Sequence, residues 1–179
     1  KFYIIQHGGN YGAALWNFFE NHQISVSDKF LSWGWTKNGE DKVYPFGSTK
    51  LYKKKKKTYV TKDGILILGF SMPKYSYHMY SVPVSFEQWL DLFEDQKSFV
   101  RSLNKSFPGQ IKVRVPSNDF GCHLYERWSD FSLETPFELE RETDKSYINS
   151  INDSKLVVSS FNTTTFLETL SLNIPTIMF

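Results

Sequence analysis

Short continuous apolar runs, separated by helix-like stretches, recur along the whole chain and constrain its fold more than any other feature. They fall at residues 2–6, 30–33, 65–70, 111–115, 156–160 and 176–179. An apolar run that does not alternate with polar residues suits a strand buried on both faces, which is the condition of a parallel sheet covered by helices. Between the runs, helices are expected at 13–22, 85–104, 145–151 and 164–172. The second is the clearest: Phe86, Trp89, Leu90, Phe93, Val100 and Leu103 fall near helical spacing, and Ser85 can cap its start. Strands alternating with helices predict an α/β, Rossmann-like, mostly parallel sheet with helices on both faces, which binds ligands at the carboxyl ends of its strands. Residues 36–62 and 120–143 fit neither period well and are expected to be loops or irregular insertions.

A chain of 179 residues, 40% hydrophobic and 22% charged, can bury one sizeable core, so residues 1–179 are expected to form a single domain. It opens at Lys1 in a strand-like segment and stops at Phe179 in another, which is expected of a piece of a longer two-domain chain. A net charge of +2 gives no nucleic-acid-type character. Much of the positive charge sits in one run, Lys53, Lys54, Lys55, Lys56 and Lys57. Two readings fit that run: a solvated loop, or contact with anionic lipid headgroups or an anionic acceptor. Cys122 is the one cysteine, which excludes an internal disulfide framework and a cysteine-based zinc site and suits a reducing cytoplasm. The longest apolar stretch, 64–72, is far below the roughly 20 residues that span a bilayer, so any membrane contact is expected to be peripheral, at the inner face of the plasma membrane.

Two segments carry candidate chemistry. In Tyr3-Ile4-Ile5-Gln6-His7-Gly8-Gly9-Asn10-Tyr11-Gly12 a strand runs into a glycine-rich loop. Gly8 and Gly9 let the backbone approach a ligand, and His7 stands where a strand end meets the loop, placed to take a proton from a hydroxyl at neutral pH. The plainer alternative is a tight turn whose histidine bonds only backbone groups. In the second segment, 156–179, a strand ends in Ser159, Ser160, Asn162, Thr163, Thr164 and Thr165, where a helix begins, and Glu168 lies one turn further on. Hydroxyl and amide donors beside a helix N-terminus suit a diphosphate, and Glu168 can accept hydrogen bonds from a ribose. Capping the helix requires one such residue, Asn162 or Thr163, rather than six. Arg114, ending the strand at 111–115, fits either a phosphate ligand or a structural ion pair. Lys74 is a comparable case, and His78 and His123 have no ligand-like spacing to a partner.

With these motifs placed, their order resembles the GT-B-fold transferases that build bacterial surface polysaccharides and teichoic acids, including the CDP-glycerol glycerophosphotransferases and Kdo-type capsule transferases. The matching features are Gln6-His7-Gly8-Gly9, then Phe46-Gly47-Ser48-Thr49-Lys50, the strand and Pro73 loop at 65–73, Lys112-Val113-Arg114-Val115-Pro116, and finally 156–179. The full phrases Gln6 to Gly12 and Asn162 to Glu168, with Asn173-Ile174-Pro175-Thr176, most resemble a group of bacterial surface-carbohydrate transferases. Val115-Pro116 stands where such enzymes carry a His-Pro pair, and Ser160 where an acidic residue is common. The resemblance implies the nucleotide-binding half of a GT-B fold, a nucleotide-sugar donor, a polysaccharide or lipid-linked acceptor, and no required metal or other cofactor. By the same resemblance His7 is the base or acceptor-site histidine, while Ser160, Asn162, Thr163, Thr164, Thr165 and Glu168 hold the donor. Gly8, Gly9 and Arg114 complete the expected phosphate side. Two alternatives share the architecture: a sugar-nucleotide epimerase, and a dinucleotide-binding Rossmann domain, whose fingerprint the spacing Gly8-Gly9-x-x-Gly12 does not match.

Overall fold

The computed structural model of the chain describes residues 1–15, 17–52, 63–75 and 86–179. The lysine run Lys53 to Lys57, His78 and the Ser85 cap lie outside the described residues. Among the described residues every strand pairing is parallel, as the apolar runs predict, but the strands divide into two sheets rather than one. The first is three-stranded, in the order β1 (Tyr3–Ile5), β2 (Lys29–Ser32), β3 (Val43–Pro45). The second is five-stranded and contains β4 (Ile65–Leu68), β5 (Ile111–Val115), β6 (Glu138–Arg141), β7 (Leu156–Ser159) and β8 (Thr176–Met178), in the order β6-β5-β4-β7-β8.

That order grows outward from β4 in one direction through β5 and β6, then returns to the other side of β4 for β7 and β8. It is the doubly wound Rossmann pattern, and the reversal between β4 and β7 opens a crevice at their carboxyl ends where such sheets bind ligands. β4 shows why its sequence is apolar throughout. Its four residues are all buried, and successive side chains take opposite faces. Ile65 and Ile67 pack with Trp89, Phe93 and Val100 of α2 (Phe86–Ser106) and with Leu124, Trp128 and Phe131 of α3 (Leu124–Ser132). Leu66 and Leu68 pack on the other face with Ile151 of α4 (Tyr147–Asn152) and with Leu172 and Ile174, which follow α5 (Thr164–Ser171).

The segments expected to be irregular hold regular elements. β3 lies within 36–62, and α3 and β6 lie within 120–143. Leu124, Trp128 and Phe131 form a three-residue apolar stripe at helical spacing, short enough to be diluted by its charged neighbours. β6 reads Glu-Leu-Glu-Arg and lies at the sheet edge, so its sequence lacks the apolar run of a central strand. The helix expected at 13–22 forms instead as α1 (Phe18–Val26). Asn17 caps it, its side chain accepting from the Glu20 N–H at 3.1 Å, while Gly12 with φ near 71° keeps the preceding residues in a turn. Among the described residues no helix is long and apolar enough to cross a membrane.

Candidate functional site

A cleft of about 400 Å³ lies at the carboxyl ends of β4, β5 and β7, within the range of small-ligand sites. Gly69, Phe70 and Ser71 follow β4 into it, Arg114, Val115 and Pro116 come from the end of β5, and Ser159 and Phe161 from β7. Thr165 and Glu168 enter from α5 and Thr163 from its cap, Tyr147 from α4, and Lys50 from the turn after β3 in the other sheet. The Phe70 and Phe161 rings stack with centroids 3.6 Å apart and form an apolar wall across the β4–β7 crevice.

The charged groups in the cleft are fixed by their neighbours. Glu168 is buried and pairs with Lys50 at 2.8 Å. Hydrogen bonds from the N–H and hydroxyl of Ser117 hold the Glu142 carboxyl below its usual range, so it stands ionised at neutral pH. Burial, reinforced by the Glu168 charge, pushes the Tyr147 phenol well above its ordinary value, leaving a neutral donor that bonds the Thr165 carbonyl at 3.1 Å.

Of the six polar residues at the β7–α5 junction, Ser159, Thr163 and Thr165 line the cleft. Thr163 is the helix cap and accepts from the Thr165 N–H at 3.3 Å. Ser160 is buried and its hydroxyl accepts from Gln96 of α2, while Asn162 holds a buried Oδ1 without a hydrogen-bond partner. Arg114 has an ion-pair partner: its guanidinium, 6% exposed, donates to Glu140 at 2.9 Å, to Ser150 at 2.9 Å and to the carbonyls of Glu142 and Lys145 at 3.4 and 2.8 Å.

The fold joins the two sequence motifs, which lie at opposite ends of the chain. Gly9 donates its N–H to the Thr164 hydroxyl at 3.1 Å, so the His7 loop docks on the first turn of α5. His7 is exposed there, edge-on to the Tyr11 ring, with Nδ1 3.4 Å from the Tyr11 hydroxyl. Gln6, which sequence reasoning passes over as a flanking residue, orders this loop. It donates to the Gly8 carbonyl at 2.6 Å while its Oε1 accepts from the Trp33 N–H and the Trp35 indole, both at 2.8 Å. Lys74 is exposed, 5.5 Å from the Tyr75 ring, and His123 precedes α3 in the left-handed region.

Gly9 is a glycine because no side chain fits. A Cβ there would lie 2.6 Å from the Thr164 Cα and 2.7 Å from the Thr163 carbonyl oxygen, both backbone atoms that cannot rotate away. Gly9→Ala is therefore expected to cost about 1–3 kcal/mol in urea denaturation, as overpacking does. Gly8→Ala, whose nearest neighbour would be the Asn10 side chain at 3.5 Å, provides the control and is expected to cost far less. Equal losses at the two positions would show that the loop does not depend on this contact.

A profile of the LIC12162 family transferases matches residues 1–179, the full chain. The protein belongs to the LIC12162 family of transferases. No curated protein matches it. The cleft residues to which sequence reasoning gave no role include Lys50, Glu142, Tyr147 and the Phe70–Phe161 stack. Lys50 alone left a signal, as the basic residue ending a glycine-containing turn.

Proposed function

We propose that this LIC12162 family transferase moves a sugar or sugar-like group from a nucleotide-activated donor to a polysaccharide or lipid-linked acceptor of the cell surface. The observation that carries the reading is the cleft at the strand-order reversal, with a buried carboxylate, Glu168, set among Tyr147, Thr163 and Thr165. Doubly wound sheets bind nucleotides at this place, and a buried carboxylate suits the paired hydroxyls of a ribose. The stacked Phe70 and Phe161 rings offer apolar surface to the rest of the molecule. The resemblance to GT-B surface-polysaccharide transferases supports the same donor class.

In this scheme an acceptor hydroxyl attacks the anomeric carbon of the donor. The bond from that carbon to the phosphate oxygen breaks, the diphosphate leaves with the electron pair, and His7 takes the acceptor proton. The first turn of α5, the positive end of its helix dipole, meets the leaving charge. The experiment is a thermal-shift screen against CMP, CDP, UDP and GDP. A ligand at 100 times its Kd adds about 2.7 kcal/mol, which corresponds to a midpoint rise of roughly 5–10 °C in a chain of this size. Glu168→Ala is expected to remove most of that rise. A folded sample that shifts with none of the four nucleotides would sink the donor assignment.

A further inference from the structure

Among the described residues that line the cleft, two side chains are cationic, Arg114 and Lys50. They differ in what they can offer a ligand. Arg114 is buried and already donates to a carboxylate, a hydroxyl and two carbonyls. Its charge is neutralised by Glu140 and its donors face inward. Lys50 is 54% exposed, rises from the turn after β3, and pairs with Glu168 at 2.8 Å across the gap between the two sheets. The lysine end of this pair is half-exposed while Glu168 is buried, and the lysine stem is long, flexible and carries three donors, so it can turn to a ligand that enters the cleft.

We infer that Lys50 is the cation that meets the phosphate of the nucleotide, and that the ligand engages it by exchange with Glu168. This rests on the reading of the cleft as a nucleotide site. Before binding, Lys50 and Glu168 pair with each other. When a nucleotide enters, ribose hydroxyls donate to Glu168 and phosphate oxygens accept from Lys50, so charge-assisted hydrogen bonds replace one ion pair. Because Lys50 lies in the turn that follows the three-stranded sheet and Glu168 in α5, the bound nucleotide takes over the link that the ion pair makes between them. A nucleoside satisfies only the Glu168 half of the exchange. The phosphate is therefore what makes displacement of Lys50 favourable.

Calorimetric titration with matched pairs, cytidine and CDP, uridine and UDP, guanosine and GDP, tests this in the wild-type protein, Lys50→Gln and Lys50→Arg. For the base that binds, wild type is expected to prefer the diphosphate to its nucleoside. Lys50→Gln is expected to lower the diphosphate affinity about tenfold, the size of one charge-assisted contact. It should leave nucleoside affinity unchanged or raised, since Glu168 loses its competing partner. Lys50→Arg should keep most of the preference, and raised salt should erode it in wild type more than in Lys50→Gln. An equal loss for nucleoside and diphosphate would mean that Lys50 only holds the sheets together, and an unchanged diphosphate affinity would also overturn the inference. Wild-type protein that binds none of the six would instead remove the nucleotide reading beneath it.

Discussion

Arg114→Ala is expected to destabilise the chain by about 3–5 kcal/mol, the usual consequence of leaving a buried charge without its partner. Glu140, 5% exposed, would keep its carboxylate in the interior with only Ser150 to answer it. The loss would spread because the same guanidinium ties down the carbonyls of Glu142 and Lys145, the connection from β6 to α4. That connection carries Glu142 and leads into Tyr147, both at the cleft. Arg114 and Glu140 are direct partners in the β5–β6 register, with Lys112 and Glu138 two residues earlier, so the charges form a row on the face opposite Ile111, Val113 and Val115. Urea denaturation checks the first variant, and Arg114→Met combined with Glu140→Leu checks the cause. Removing both charges is expected to restore much of the loss, because neither then lies unpaired. A single Arg114→Ala variant within about 1 kcal/mol of wild type would show that the pair is not needed for folding.

His7→Ala is expected to lower transfer by two to four orders of magnitude, roughly the contribution of a positioned general base. Nucleotide affinity is expected to stay close to wild type, since His7 is not among the residues lining the cleft. The division follows from the docking geometry. Gly9 attaches the loop to Thr164, the first residue of α5, while Glu168 faces the cleft one turn further along the same helix. A base on that loop, outside the cleft lining, can act on an acceptor hydroxyl without itself being a donor contact. Transfer that survives His7→Ala at wild-type rate would remove it from the chemistry. A parallel fall in nucleotide affinity would instead place it among the donor contacts.

The amino-acid order alone foretold the elements at the centre of the molecule. β4 and β7 carry apolar runs because they are buried on both faces. β5 is buried as well but carries Lys112 and Arg114 on one face, where Glu138 and Glu140 pair with them. Burial of the kind seen in β4 and β7 can be read directly. The same holds for α2, with its stripe of large apolar residues, and for α5, with a cap and a clear end. At the periphery the signal fails. β6 is an edge strand with charges at three of its four positions, and α3 shows its core face in only three residues.

The site divides in the same way. Glu168, Thr163 and Thr165 were legible because they follow a buried strand in sequence, where a local rule applies. Arg114 stayed open between two readings until Glu140, 26 residues away, was seen beside it. The His7 loop and the β7–α5 junction were each legible as motifs, yet nothing in either announces that Gly9 and Thr164, 155 residues apart, hydrogen-bond to each other. What the sequence determined by itself was a parallel α/β chain, with its His-Gly loop and its hydroxyl-rich helix start. Periodicity and capping act over a few residues, so such features are written locally. Only the tertiary structure decided that the strands form two sheets, that the cleft opens between β4 and β7, and that Lys50 reaches Glu168 across the gap. Those outcomes depend on which distant surfaces fit together, and packing complementarity leaves no mark at any one position in the chain.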